Sequence, residues 1–433
     1  MARQRSWWVV MVCLVAACRA SDTNDRTMID AAVIAATDAM PDPAIDAALD
    51  AALDGAIDGT TADGAFDAAF DAAFDAAVDA AVDASIDAPH VGQFRTVGAL
   101  AQARIDHAAA LLADGRVLIV GGETPGGSWT ASVEIFDPAT ETFSPAAPTA
   151  LVHVSPQVTT LADGRVLLTG PAMVPGDLAP KTEIFDPATA AWTAGPDMLT
   201  IHGTHVATRL ADGRVLVTDG TTEVYVPSTN TFQGYPPPAV LGPGHRGARL
   251  VNGRVLLSGG PHQGSSGGGT RDDAEEFDPL TSTCTTTGSM ATARAAHTVT
   301  ALPDGRALVT GGYIGLGGAV EVYATAELYD PTTRTFSPAG AMSISRDRHT
   351  ATLLADGTVL VAGGSSDGTG TAPDNTFFVT DTATIFSPTA RAFTSTAAPM
   401  AIARERHTAT RLVDGRVLLV GGSTSPVAEL YEP

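Results

Sequence analysis

The sequence predicts an all-β fold: a seven-bladed β-propeller closed by a strand from its N-terminal side. Three observations carry this reading. First, a short unit recurs seven times. It reads DGRVLIVGG from Asp114, DGRVLLTGP from Asp163, DGRVLVTDG from Asp212, NGRVLLSGG from Asn252, DGRALVTGG from Asp304, DGTVLVAGG from Asp356 and DGRVLLVGG from Asp414. Successive starts lie 49, 49, 40, 52, 52 and 58 residues apart, a period that means an array of one supersecondary unit. Second, six of the copies carry signals for four short strands, the number in a propeller blade. Third, the last copy stops after its third strand, and a matching fourth strand stands at GQFRTVGAL, residues 92–100.

Each element has a local reason. Asp-Gly between two alternating apolar runs is a hairpin signal, because the favoured two-residue turn needs positive φ at its central residues. In the last copy this predicts strands over 407–413 and 416–420. The glycines that follow release the chain where a side chain would crowd a close backbone approach. The third strand is a short run stopped by proline, as in EIFDP from Glu134 and from Glu183, EVYVP from Glu223, EEFDP from Glu275, ELYDP from Glu327, TIFSP from Thr384 and ELYEP from Glu429. Proline ends such a run because it cannot donate to a ladder. The fourth strand is TFSP, AWTA, TFQG, TCTT, TFSP and AFTS in turn. Pairing residues 92–100 with the last third strand would close the ring and leave no exposed sheet edge.

A diglycine after the second strand, an aromatic-acidic-proline third strand and an aromatic fourth strand resemble the kelch repeat, over about residues 92–433. The resemblance implies a kelch-type propeller like the central one of galactose oxidase. It says little about function, since such folds host enzymes and plain binding modules alike.

Two segments precede the propeller. Arg3 and Arg5 form a basic stretch ahead of an apolar run of 11 residues, 7–17, too short to span a bilayer and typical of an export signal. It ends at VAAC, which resembles a bacterial lipobox and implies lipidation of Cys18, with residues 1–18 as signal peptide. Residues 19–90 are an Asp/Ala-rich segment with aspartates at 67, 71, 75, 79, 83 and 87. Like charges at i,i+4 oppose a helix, so this stretch is expected to be a disordered tether, with the propeller at 91–433. The expected location is outside the cytoplasm, periplasmic or at the cell surface, with the protein held to a bacterial membrane only by the lipid.

Net charge is −23; residues 1–90 hold 16 acidic and 4 basic residues, leaving 32 and 21 for the propeller. No basic stripe exists, which argues against nucleic acid as a partner. A monomer is expected. Only Cys284 of the three cysteines lies in the propeller, so neither a disulfide nor a cysteine-based metal site is expected there.

Charges recur with the repeat. Arginine follows Asp-Gly or Asn-Gly at Arg116, Arg165, Arg214, Arg254, Arg306 and Arg416, and the third strand carries Glu134, Glu183, Glu223, Glu276, Glu327 and Glu429. Both are absent from one copy, where Thr358 and Thr384 stand. This predicts six structural cross-strand ion pairs: Arg116–Glu134, Arg165–Glu183, Arg214–Glu223, Arg254–Glu276, Arg306–Glu327 and Arg416–Glu429. A histidine precedes the turn by seven residues at His107, His205, His245, His297, His349 and His407. A residue present in nearly every blade reads as structural, with inter-blade hydrogen bonds as its role. Two neighbouring copies read RDRH and RERH, adding a second arginine. Alternation would place Arg346 with Arg348, and Arg404 with Arg406, on one side. With His349 and His407 they form the candidate contact for a carboxylate-bearing ligand.

The expected function is a surface-anchored binding module for a glycan or protein, on the face with the long loops. The alternatives are kelch-fold enzymes: a sugar mutarotase, or a copper-radical oxidase of the galactose oxidase kind. The latter needs two tyrosines, two histidines and a cysteine joined to one tyrosine. Cys284 is the one candidate and falls on an outer strand, so no catalytic residue, metal site or cofactor is assigned.

Overall fold

The computed structural model describes residues 92–261, 269–316, 319–367 and 377–433. Cys18, the signal segment and the Asp/Ala-rich stretch lie outside the described residues, as do residues 262–268, 317–318 and 368–376. The described chain holds seven four-stranded antiparallel sheets, each a blade. Blade 1 spans residues 108–146, blade 2 157–194, blade 3 206–235, blade 4 246–286, blade 5 298–341 and blade 6 350–395. Blade 7 joins Thr408–Arg411, Val417–Val420 and Val427–Glu432 to Gln93–Ala99 from the other side of the propeller sequence. Gln93 pairs with Glu432, Phe94 with Tyr431 and Thr96 with Glu429. The predicted closure is met. The innermost strands touch their neighbours in an unbroken cycle, blade 7 against blade 1 included.

The core lies between blades. The second strands are apolar on both faces, and Val117–Val120, Val255–Ser258 and Val417–Val420 are buried throughout. One cluster fills each junction. Val117, Ile119 and Phe136 meet Leu418, Val420 and Leu430 between blades 1 and 7. Leu360 and Ile385 meet Val417 and Tyr431 between blades 6 and 7. Burying such side chains contributes about 1.5–3 kcal/mol each. In six of the seven blades the third-strand aromatic meets a fourth-strand aromatic. Phe136 and Phe143 are 5.0 Å apart between ring centres, Phe185 and Trp192 5.1 Å, and Phe386 and Phe393 4.9 Å. Phe94 completes the set by lying 5.0 Å from Tyr431. In blade 4 Cys284 takes the aromatic's place opposite Phe277, packed against the apolar cluster between blades 3 and 4.

The turn differs from the expectation. Leu112 N–H donates to Arg116 O at 2.8 Å and Gly115 N–H to Leu112 O at 3.0 Å. The connection is therefore a three-residue loop, Ala113-Asp114-Gly115, with glycine alone at positive φ, +88°. This is a turn followed by a bulge-forming left-handed residue. Asp114 holds it by accepting from Arg116 N–H at 3.0 Å. The glycines after the second strand are packed as expected. A Cβ on Gly421 would lie 2.4 Å from Arg104 O in the next blade, and one on Gly422 2.5 Å from His407 Cβ.

Candidate functional site

Five of the six predicted ion pairs are not formed. Nε of Arg116 reaches Asp114 at 2.8 Å, that of Arg165 reaches Asp163 at 2.8 Å, and that of Arg214 reaches Asp212 at 2.8 Å. Arg306 likewise reaches Asp304 at 2.9 Å, and Arg416 reaches Asp414 at 2.8 Å and Glu141 at 2.7 Å. The reason is register. Val117 opposes Phe136 and Ile119 opposes Glu134, so the glutamate opens the third strand at the end away from the turn. Only Arg254 meets its assigned Glu276, at 3.0 Å. Glu276 sits one residue nearer the turn than the repeat glutamate, which in that blade is Glu275.

The repeat glutamate has a different, buried partner: the residue three before the consensus histidine. Arg104 meets Glu134 at 2.8 Å, Arg294 meets Glu327 at 3.1 Å and Arg404 meets Glu429 at 2.8 Å. His153 and His202 take the arginine's place in blades 2 and 3, meeting Glu183 at 3.2 Å and Glu223 at 3.0 Å. Blade 4 has Gly242 there, and Glu275 accepts instead from the N–H groups of Ala239, Val240 and Leu241. The glutamates also clamp the incoming chain: Glu134 accepts from Ala101 N–H at 2.9 Å, and Glu327 from Ala291 N–H at 2.8 Å. His202 is completely buried and also meets Asp219 at 2.8 Å. Burial alone would lower its pKa, but the bonds to Asp219 and Glu223 outweigh it and hold the imidazole up at about 9.

Five of the six consensus histidines join blades; the sixth, His245, turns Nδ1 to Gly242 O at 2.9 Å and leaves Nε2 buried without a partner. Nε2 of His107 lies 2.8 Å from the Thr408 hydroxyl, that of His407 2.9 Å from Thr350, that of His205 2.8 Å from Thr169 and that of His297 3.0 Å from Ser258. His349 meets Thr298 and Thr310, each at 3.1 Å. Burial holds His107 and His407 neutral, down at about 3. His349 and His407 are thus engaged within the ring.

The four sector arginines split into two pairs. Arg346 and Arg404 are wholly buried; their guanidiniums donate to Gly363 O at 2.7 Å and Gly421 O at 2.8 Å. Arg348 and Arg406 keep their side chains partly exposed, at 36% and 34%. The alternation argument does not hold because the segment is not an extended strand. Arg348 and Arg406 take φ of +50° and +52°, which turns each away from its buried neighbour. A chain of backbone bonds rounds this inner rim: Arg348 N–H to Ala296 O at 3.1 Å, Arg406 N–H to Arg348 O at 3.0 Å, and Asp106 N–H to Arg406 O at 3.1 Å. Their side chains meet acids rather than standing free. Arg406 reaches Asp106 at 3.1 Å, and Arg348 lies 3.6 Å from Asp347 and 3.7 Å from Glu405. Asp347 is buried, which pushes its carboxyl up to about 6.

Beside this rim, between blades 7 and 1, is a cleft of about 370 Å³. Glu123, Thr124, Glu405, Ser423 and Thr424 offer polar atoms in it, against Ile105, Pro125 and Val379. Glu405 Oε2 is buried without a hydrogen bond. Sequence reasoning missed these residues, since they come from loops of repeats at opposite ends of the propeller sequence.

Among the described residues the set of a copper-radical oxidase is not assembled. Cys284 packs on blade 4's outer strand with its thiol pushed up to about 12 by burial. Among the described residues, no three His, Cys, Asp or Glu side chains converge as metal ligands. No helix among those residues is long and apolar enough to cross a membrane.

Fold and ring together define a seven-bladed β-propeller. Residues 106–149, the first blade with its histidine, match the kelch motif. A fungal alcohol oxidase of the AA5 family, in complex with copper, shares the fold with a TM-score of 0.61 at 19% identity, over 79% of this chain and 77% of its own. The structure of YjhT aligns with a TM-score of 0.48 at 12% identity, over 65% of this chain and 98% of that one. No curated protein matches the chain. The likeness to the oxidase, at 19% identity, speaks for fold alone.

Proposed function

We propose that the propeller is a binding module for a hydroxyl-rich ligand, a glycan, held in the cleft between blades 7 and 1. In this reading the chain is exported and tethered to a membrane through lipid on Cys18, with residues 19–90 as spacer. The observation that carries it is the lining of the cleft. Glu123 and Glu405 supply carboxylate acceptors, and Thr124, Ser423 and Thr424 supply hydroxyls, beside an apolar wall. Sugar hydroxyls donate to carboxylates in strong, charge-assisted bonds, and loops on a rigid scaffold are suited to holding them. The repeat arginines and histidines do not compete for this role, because their hydrogen bonds are made inside the ring.

The test is a glycan array probed with the purified propeller and with Glu123→Gln/Glu405→Gln. A set of glycans bound by the native protein and lost in the double variant is expected. No glycan bound, or the same set bound by both, overturns the reading. Cys18→Ala should move the protein from membrane to soluble fractions; unchanged fractionation counts against the anchor.

A further inference from the structure

The cleft lies over a blade with a low rim. In blade 7 residues 421–426 join the second and third strands, whereas blade 1 uses 121–132 and blade 6 uses 363–382. Glu405, Ser423 and Thr424 of blade 7 form a floor between the longer loops of its two neighbours. Thr124 and Pro125 stand on the blade 1 side and Val379 on the blade 6 side. The cleft is thus a groove across blade 7 with a wall on each flank.

Each wall is a small hairpin tied to its blade. In blade 1, Ile105 N–H donates to Glu123 O at 2.9 Å and Glu123 N–H to Ile105 O at 2.8 Å. Glu123 opposes Trp129 across the hairpin. Directly opposed residues share a face, so the partly exposed Trp129 stands beside Glu123. In blade 6, Phe378–Val379 pairs with Ser365–Ser366, and Ser365 N–H donates to Asp347 O at 2.9 Å. Phe377, Phe378 and Val379 are exposed by 40, 48 and 38%. Residues two apart share a face of an extended chain. Phe377 therefore continues the wall that Val379 begins, and Phe378 points to the other side. A polar floor is flanked by aromatic rings.

Charge narrows the ligand. Glu405 Oε2 is buried without a hydrogen bond. Arg104, which also lines the groove, is spent on Glu134 at 2.8 Å and on Gly121 O at 3.0 Å. An acidic group would therefore face Glu123 and Glu405 with no free guanidinium in the lining to receive it, whereas neutral hydroxyls donate to both acids. The volume, about 370 Å³, is near the lower end for ligand sites, about 300–1,000 Å³, so a chain of several rings runs past the floor onto the walls.

We propose that the groove binds a neutral oligosaccharide, with hydroxyls on Glu123 and Glu405 and outer rings against Trp129 and Phe377. This rests on the glycan reading above and adds the charge and length of the ligand. The negative face of an aromatic ring attracts the C–H groups on the flat side of a sugar.

The test is an array of neutral oligosaccharides, from single hexoses to long chains, beside uronic-acid oligosaccharides of equal lengths, with calorimetry on those bound. The native chain should prefer long neutral chains. Phe377→Ala and Trp129→Ala should each weaken these about tenfold and change single hexoses little. Phe378→Ala, equally apolar but on the other side, should bind as the native chain does. Phe377 is exposed, so its variant keeps the native thermal melt. Long chains bound no better than single hexoses, uronic-acid chains bound more tightly than neutral ones, or Phe377→Ala binding like the native chain overturns the proposal. If Glu123→Gln/Glu405→Gln still abolishes binding in that case, the glycan reading stands and only its extension falls. No glycan bound by the native chain overturns both.

Discussion

Blades 6 and 7 are neighbours built on one plan, and they differ where the plan buries its charge. In blade 7 the Arg404 guanidinium donates to Gly421 O and Val427 O, each at 2.8 Å, and to Glu429 at 2.8 Å. Glu429 also accepts from Ala401 N–H at 2.6 Å. In blade 6 Arg346 donates to Gly363 O at 2.7 Å and to Thr382 O at 3.0 Å. It also donates to the Thr382 hydroxyl at 3.0 Å. Thr384 stands in the glutamate's place with its hydroxyl buried and unpaired. Both arginines are fully buried. Burial lowers both pKa values, but only Arg404 has a carboxylate opposing that shift; Arg346 is brought down to about 10. The difference teaches which bond does what. Backbone carbonyls position the guanidinium in both blades, and the glutamate neutralises it and clamps the incoming chain.

The blades also differ in how they are closed. Blade 6 is continuous in sequence, whereas blade 7 borrows Gln93–Ala99. Deleting residues 92–99 should have the largest effect. It bares Val427–Glu432 and removes the Phe94 contact with Tyr431. The loss expected is on the scale of whole-domain stability, about 5–15 kcal/mol, read as the absence of a single cooperative melt. Retention of that melt would mean the ring does not need its closing strand.

Next comes Glu429→Gln, which leaves Arg404 buried and uncompensated. Removing one partner of a buried pair costs about 3–5 kcal/mol, measurable by urea denaturation. Thr384→Val in blade 6 should cost less than about 1 kcal/mol, because the hydroxyl it removes has no partner. If the two substitutions cost the same, the contrast between the blades fails.

A third prediction uses the imidazole that replaces arginine in blade 3. His202 is raised from 6.5 to about 9. Its contribution is therefore complete below about pH 6.5 and is lost as pH climbs through 9. Stability should fall between pH 7 and 9.5 in the native chain, and His202→Gln should flatten that slope. An unchanged slope would contradict a charged His202. The smallest effect belongs to the turn arginines. Arg116 pairs only with exposed Asp114, so Arg116→Ala should shift stability by less than about 1 kcal/mol. A larger loss would restore the cross-strand role that register denies it.

Much of the fold was legible because its signals are local and repeated: a glycine turn, a buried apolar strand, and an aromatic on each of the next two strands. Ring closure was legible because a fourth strand was missing in one place and present in another. The ion pairs were misread because Glu134 was matched to the wrong end of its strand. The correct partner was also periodic in the sequence, since Arg104, Arg294 and Arg404 each stand three residues before a histidine. The cleft was not legible, because Glu123 and Glu405 meet only after the ring has closed.

The central claim is that the repeat glutamate exists to neutralise a buried guanidinium. Thr384→Glu tests it most directly, by giving blade 6 the residue that blade 7 has. With the carbonyls already positioning Arg346, the new carboxylate should form the missing pair. Urea denaturation should then show a gain of about 1–3 kcal/mol, the scale of a hydrogen bond to a charged group. Stability unchanged or lowered, in a variant that retains the native fold by circular dichroism, would contradict the claim.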